Sequence, residues 1–106
     1  MNKVILEGYL GKNPDTKLTA SGLQITNTTL GTSNDFLDKV TKEWIKKPAT
    51  WHSLTAFGEV GKTLATFKKG ENIHAEGKLQ YDSWEDSEGK KRVSTKIICF
   101  GIEKKQ

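Results

Sequence analysis

The sequence is poor in residues that carry covalent or metal chemistry. Its 106 residues include one cysteine, Cys99, and two histidines, His52 and His74. A lone cysteine excludes an intramolecular disulfide framework, and the three side chains lack the spacing of a zinc site. His52 and Ser53 are neighbours on a predicted strand, so they point to opposite faces and cannot form a nucleophile–base pair. We therefore expect a non-enzymatic protein with no catalytic residue, no metal and no cofactor.

Long apolar segments are also missing. The sequence contains no apolar run of 18 residues and no charged start followed by the apolar stretch of a signal peptide. We therefore expect no membrane partner and a place in the cytoplasm, where a lone thiol stays reduced. A chain of 106 residues is long enough for one core, so residues 1–106 are predicted to form one domain.

Charge of one sign is not concentrated anywhere in the chain. Seventeen Lys and Arg residues against thirteen Asp and Glu residues give a net charge of +4. This excess favours a polyanionic partner, but the predicted loops contain both signs. The function must therefore be argued from the positions of the aromatic side chains.

Alternating apolar and polar residues predict an all-β fold. Strands are predicted at about 1–10, 23–32, 50–57, 72–84 and 92–102, with turns at 11–15 and 86–89 and a long loop at 33–48. Val60, Leu64 and Phe67 have helical spacing, and Gly70 follows them as a terminating residue, so one short helix is predicted at 59–69. Five strands with a short helix between the third and fourth is the order of an OB-fold barrel.

Large aromatic rings lie on the polar faces of two predicted strands. Residues of one parity share a face, so Trp51 and Phe57 lie with Ser53 and Thr55. On the fourth strand Trp84 shares its face with residues such as Lys78 and Asp82. Exposed rings among polar and cationic neighbours can stack on unpaired bases. The alternative is that these rings are core residues or cap a barrel end.

The long loop supplies two more aromatic side chains. Phe36 and Trp44 lie there among the lysines Lys39, Lys42, Lys46 and Lys47. This mixture is compatible with a strand of nucleic acid, whose bases stack and whose phosphates need cations. The alternative is a solvated loop with two incidental apolar anchors.

A series of short motifs resembles the bacterial and phage single-stranded DNA-binding (SSB) proteins. In order along the chain they are Asn2-Lys3-Val4-Ile5-Leu6, Gly8, Leu10-Gly11, Ser21-Gly22, Trp51-His52, Ala56-Phe57-Gly58, Lys69-Gly70, Glu76-Gly77 and Trp84. The resemblance implies sequence-independent binding and protection of single-stranded DNA in replication, recombination and repair, in a bacterial or phage-infected cell. It places the base-stacking positions at Phe36, Trp51, Phe57 and Trp84. As further nucleic-acid contacts we select Trp44 and the basic residues Lys3, Lys39, Lys46, Lys47, Lys69, Lys78 and Arg92.

The resemblance also implies self-association. Family members usually form homotetramers, partly by pairing of their first strands, and a dimer is the other possibility. Ile5 and Tyr9 are predicted to point outward from the first strand and would suit this pairing. His52 resembles a residue at a subunit contact; alternatively it is a hydrogen-bonded histidine of the barrel.

The chain also departs from the family pattern. Asp82-Ser83 and Glu59 stand where basic residues are common, so Asp82 is predicted to weaken DNA binding unless it pairs with Lys90, Lys91 or Arg92. The predicted helix is slightly short. The sequence ends in Lys104-Lys105-Gln106 without an acidic tip, so partners recruited by such a tip are not expected. Alternative functions are a tailless OB-fold module of the primosome type, a protein-interaction domain and a cold-shock-like RNA-binding protein.

Overall fold

The computed structural model describes residues 1–105, which form eight strands and one helix. In chain order these are β1 (Val4–Leu10), β2 (Asp15–Leu18), β3 (Gln24–Thr32), β4 (Phe36–Leu37), β5 (Trp44–Ile45), β6 (Thr50–Phe57), α1 (Gly58–Ala65), β7 (Asn72–Glu85) and β8 (Lys91–Lys104). The five long strands match the five predicted ones within about three residues at each end.

The five long strands close into a ring. Their order is β1-β7-β8-β6-β3, and β3 pairs again with β1 through Tyr9 opposite Gly31 and Leu10 opposite Leu30. Neighbouring strands are antiparallel except β6 and β8, which run parallel. A closed five-stranded sheet with a helix between its third and fourth strands is the OB-fold, and the fold prediction is confirmed.

The barrel interior is filled by alternate residues of every strand. Buried side chains include Leu10, Leu30, Leu54, Ile73 and Ile97. Helix α1 covers one end, where Leu64 is fully buried and the buried hydroxyl of Thr26 donates a 2.8 Å hydrogen bond to the carbonyl of Gly61. Side chains alternate between the two faces of a strand, so the residues that lie between the buried ones point to the outer surface of the barrel.

The helix is shorter than predicted. It ends at Ala65, and Phe67 lies beyond it, half-buried against the core. The amides of Thr66 and Phe67 donate to carbonyls three residues back, and the Thr66 hydroxyl donates to the Thr63 carbonyl. These tighter bonds close the last turn, so the chain leaves the helix before Lys69.

Short strands occur in two parts of the chain for which the sequence predicted none. β2 pairs with β3 and begins at Asp15, the last residue of the predicted turn. All four of its side chains are exposed, so it has no alternating pattern to reveal it. β4 and β5 pair inside the predicted loop at 33–48, and we call this segment the loop hairpin.

The last two strands extend beyond the barrel. Residues 80–85 of β7 pair only with residues 91–96 of β8, and the turn between them is held by Asp86, whose carboxylate accepts from the amides of Glu88 and Lys90. Gly89 supplies the positive φ of 80° that this turn needs. We call residues 80–96 the arm.

Candidate nucleic-acid interface

The outward face of β6 carries two exposed rings separated by a polar floor. Trp51 is 59% exposed and Phe57 is 38% exposed, while Leu54 and Ala56 point into the core. Ser53 and Thr55 lie between the rings, with Thr55 donating a 2.7 Å hydrogen bond to the Asn27 carboxamide of β3. At about 3.3 Å per residue the two rings stand roughly 20 Å apart along the strand.

An open groove of about 480 Å³ runs along this face. Its walls come from β3, β6, β8 and the turn after β1, and its lining includes Asn27, Thr29, Ser53, Thr55, Phe57, Ser94, Lys12 and Lys96. Hydroxyl and amide groups dominate the lining, with two lysines on its sides. Such a surface can hold a sugar–phosphate chain by hydrogen bonds and charge while bases stack on the rings.

The arm continues the groove toward Trp84. Directly opposed residues of an antiparallel pair share a face, so Trp84 lies beside Arg92 on the side that also carries Ser94 and Lys96. Trp84 is 51% exposed. The prediction that Trp84 and Asp82 lie on the same face of their strand is confirmed. Tyr81 and Val93 lie on the other face of the arm and are also exposed.

Asp82 is tied to a groove lysine. Its carboxylate accepts from the Gln80 carboxamide and lies 3.1 Å from the Lys96 ammonium. These contacts, with the Gln80 hydrogen bond first, hold the pKa of Asp82 below its ordinary value. Among the described residues, the alternative pairing of Asp82 with Lys90, Lys91 or Arg92 is not formed, since Asp82 pairs with Lys96 and Arg92 pairs with Asp86 at 3.0 Å.

The loop hairpin has apolar side chains on both faces. Phe36 opposes Ile45 and Leu37 opposes Trp44, which places Phe36 and Trp44 on opposite sides of the ribbon. The Lys47 ammonium lies 5.1 Å from the centre of the Phe36 ring. This cation–π contact covers one position that a base would need for stacking on Phe36.

The remaining basic candidates are dispersed. Lys3, directly before the first residue of β1, pairs with Glu76 at 3.2 Å. Lys69 follows the helix, where its amide is bonded to the Asn13 side chain, and Lys78 lies on the outer surface of β7. Lys39 and Lys46 are exposed in the loop hairpin. The structure therefore does not gather these five side chains, together with Lys47 and Arg92, into one basic patch.

Another exposed surface lies on β1, β7 and β8. Ile5, Tyr9 and Phe100 are each more than half exposed there, and we call them the outer sheet face. His74 lies between the carboxylates of Glu7 and Glu76, at 2.8 and 3.1 Å. The hydrogen bonds to Glu7 and then Glu76 raise the pKa of His74, so the imidazole favours the charged form.

His52 and Cys99 belong to residue types that are often reactive in proteins, but both are partly or fully buried within the barrel. The His52 imidazole shares a 2.9 Å hydrogen bond with the Thr32 hydroxyl, and burial lowers its pKa. Burial raises the pKa of the Cys99 thiol to about 11, which keeps it protonated.

Among residues 1–105 no cluster of His, Cys, Asp and Glu could hold a metal ion. No helix within that range is long and apolar enough to cross a membrane.

Two groove lysines, Lys12 and Lys96, were not among the residues selected from the sequence. Lys96 could have been found by extending the parity argument to the fifth strand, where it shares a face with Ser94 and Arg92. Lys12 had no such signal because it lies in a turn. Its carbonyl accepts a 2.9 Å hydrogen bond from the buried Thr28 hydroxyl, which fixes the turn against β3.

Comparison with known proteins gives the family of this groove-bearing barrel. The profile of the single-strand binding protein family matches residues 1–104. The chain belongs to this family. It is 38% identical over 105 residues to single-stranded DNA-binding protein 1 of Chlorobaculum tepidum, a match that covers 97% of this chain and 64% of that protein. The chain thus spans less than two thirds of the length of this curated relative.

A solved structure supports the family assignment. The chain is similar to the SSB of Plasmodium falciparum in its complex with ssDNA, with a TM-score of 0.79 and 26% identity. The match covers 92% of this chain and 85% of the other.

Proposed function

We propose that this protein binds single-stranded DNA without strong sequence preference, in the groove along β6. The observation that carries the proposal is the arrangement of Trp51 and Phe57 at the two ends of a polar floor, with Lys12 and Lys96 on its sides. Bases stack on the rings while the lysines and hydroxyl groups accommodate the backbone. Family membership and the ssDNA complex of the Plasmodium relative support the same ligand.

Further contacts extend this binding path. Trp84 and Arg92 continue it along the arm, and Phe36, Trp44, Lys39, Lys46 and Lys47 approach it from the loop hairpin. Lys3, Lys69 and Lys78 contribute more distant positive charge. The role is protection of single strands during replication, recombination and repair in the cytoplasm of a bacterial or phage-infected cell. It is a binding role and not a catalytic one.

The titration of tryptophan fluorescence with oligo-dT tests this function. Stacking should quench the emission, and Trp51→Ala or Trp84→Ala should each weaken binding by about 1–3 kcal/mol. Tyr81→Ala is the matched control, because Tyr81 is an exposed ring on the opposite face of the same arm. The logarithm of the affinity should fall with the logarithm of salt concentration by about 0.7 per phosphate contacted.

Three results would contradict the proposal. Unchanged affinity in both tryptophan variants would refute stacking, and affinity independent of salt would refute a charged path. A flat titration would point instead to a protein-interaction domain. Parallel titration with oligo-rU separates DNA binding from a cold-shock-like preference for RNA.

We also propose that the protein self-associates as a homotetramer, with a dimer as the alternative. Ile5, Tyr9 and Phe100 are exposed apolar side chains of the outer sheet face, outside the residues that line the groove, and a monomer leaves them in water. Lys3, Glu7, His74, Glu76 and Lys105 are already paired with one another beside it, so few charges there lack a partner on burial. The hydrogen bond between His52 Nε2 and the Thr32 hydroxyl satisfies one nitrogen of this ring and leaves the other for a subunit contact.

A further inference from the structure

Trp51 lies against two glycines on neighbouring strands. A Cβ atom added to Gly31 would lie 2.7 Å from Cζ3, 2.8 Å from Cη2 and 3.1 Å from Cε3 of the Trp51 ring. A Cβ added to Gly11 would lie 2.5 Å from Cζ3 and 3.1 Å from Cε3 of the same ring, and 2.7 Å from the hydroxyl oxygen of Thr29. Real Cβ atoms almost never approach other atoms below 3.0 Å, so the ring occupies the space that a side chain would need at either position.

The distances also show which part of the ring meets Gly31. Three consecutive atoms of the six-membered ring are almost equally far from the added Cβ. An approach from the ring edge would leave the third atom much farther away, so a ring face covers Gly31. Trp51 and Gly31 are direct partners in the β3–β6 register, and Tyr9 of β1 is the partner of Gly31 on its other side. The indole therefore leans from β6 across β3 toward the end of β1.

Neither glycine is required by backbone conformation. The glycines with positive φ in the described chain are Gly22, Gly58, Gly70 and Gly89, so Gly11 and Gly31 have angles that alanine can adopt. Glycine weakens a strand interior and commonly marks a close approach by another group. In β3 the approaching group is an aromatic ring with more than half of its surface still open to solvent.

From this geometry we infer that Gly31 and Gly11 are positioning residues for DNA binding: they form a seat that holds Trp51 flat, with one ring face on the barrel wall and the other presented to a single nucleobase. This inference rests on the proposed function. A ring already held in the stacking orientation loses less conformational freedom on binding than a ring that must be ordered by the DNA. A methyl group at either glycine lifts the ring without removing any contact that the glycine itself makes with DNA.

Gly31→Ala and Gly11→Ala test the seat, each in the wild-type protein and combined with Trp51→Ala. We expect each to weaken oligo-dT binding by about threefold to tenfold in the wild-type background. Without Trp51, Gly31→Ala should have no further effect, and Gly11→Ala should keep only the smaller effect of its contact with Thr29, which lines the groove. Gly101→Ala is the matched control, since a Cβ there would come no closer than 4.0 Å to the Glu76 side chain. An equal loss in both backgrounds, or no loss in a protein whose binding needs Trp51, would overturn the inference. Thermal melting identifies a variant that fails to fold, and the other glycine then decides.

A measurement on the free protein separates this inference from the proposed function. With Trp44 and Trp84 replaced by phenylalanine, Trp51 is the one remaining tryptophan of the three in the sequence. Acrylamide should quench its emission more strongly in Gly31→Ala than in the parent or in Gly101→Ala, because the covered ring face becomes accessible. Unchanged quenching overturns the seat. If Trp51→Ala leaves DNA affinity unchanged while the quenching rises, the seat exists and base stacking at Trp51 is what fails.

Discussion

At the scale of single residues, the groove combines rings that can bind bases with charges that are already partly neutralised. Lys96 lines the groove, but its ammonium lies 3.1 Å from Asp82, and Arg92 is likewise paired with Asp86. Only Lys12 lines the groove without an ion pair among the described residues. Binding should therefore respond to small changes in the acidic partners of these cations.

Asp82→Asn should strengthen binding of single-stranded DNA. The change keeps the shape of the side chain and removes the charge that neutralises Lys96 and repels a phosphate within a Debye length, roughly 10 Å at 0.1 M salt. Because the pair is exposed, the gain should be on the order of twofold to fivefold and should shrink as salt is raised. Oligo-dT titrations at low and high salt measure it.

The matched control for this variant is Glu59→Gln. Glu59 also pairs with a lysine, Lys62 at 3.1 Å, but on the helix, which contributes no residue to the groove. Glu59→Gln changes the net charge by the same amount but releases a lysine that does not line the groove, so it should raise the affinity less than Asp82→Asn does. Weaker binding by Asp82→Asn would mean that the ion pair with Lys96 orders the arm that carries Trp84.

At the scale of secondary-structure elements, the loop hairpin is the part of the proposed interface that is built on the shortest strands. Its two strands have two residues each, and an isolated two-stranded ribbon is marginally stable in water. Its base is closed by side chains: the Asn34 carboxamide donates to the Pro48 carbonyl and to the Thr50 hydroxyl, at 2.9 and 2.7 Å. Asp35 accepts from the amide of Lys47, which in turn covers Phe36.

Asn34→Ala should loosen the loop hairpin without unfolding the barrel. Both hydrogen bonds that Asn34 makes at the base are lost, so trypsin should cut faster at Lys39, Lys42 and Lys46. If Phe36 and Trp44 contact DNA, affinity for oligo-dT should fall severalfold because the DNA must then order the segment. Limited proteolysis, melting temperature and titration together measure the effect.

Asn13→Ala is the control for the hairpin variant. Asn13 also makes a side-chain bond to a distant backbone group, the amide of Lys69 at 2.8 Å, but outside the loop hairpin. It should not change cleavage between residues 39 and 47. An Asn34→Ala protein with wild-type cleavage and affinity would show that the apolar side chains of the ribbon, and not its base, hold it in place.

At the scale of the whole molecule, the barrel has two different exposed surfaces. The groove carries rings over a polar floor, while the outer sheet face carries Ile5, Tyr9 and Phe100 beside a chain of ion pairs. The strands of a closed barrel have one side for the core and one for the surroundings, so both surfaces use outward positions. Tyr9 lies near their boundary, because its β3 partner Gly31 is also the partner of Trp51.

Sedimentation equilibrium should detect an assembly larger than the 11.8 kDa monomer at micromolar concentration. Ile5→Glu should shift the population toward monomer, because a carboxylate at an apolar contact must be buried without a partner. Leu18→Glu is the control, since Leu18 is an equally apolar, exposed side chain on β2. A wild-type protein that sediments as a monomer would refute self-association through the outer sheet face.

The sequence alone determined the fold and the orientation of the main rings. Alternation along a strand is a local property, so a ring that alternates in step with polar residues can be placed on the outer surface from sequence alone. Ser53 and Thr55 placed Trp51 and Phe57 in this way, and Lys78 placed Trp84. The order of strands and helix was enough to predict the OB-fold. Short or fully exposed elements, such as β2 and the loop hairpin, had no periodic signal and were missed.

Only the tertiary structure decided which outward residues meet. The pairing of Asp82 with Lys96, the separation of Phe36 from Trp44 and the position of Lys12 in the groove depend on register between strands, which no single strand encodes. The same holds for Trp51. The sequence shows a tryptophan and two glycines 20 and 40 residues before it, and only the closure of β1, β3 and β6 into one sheet brings Gly31 and Gly11 beneath its ring.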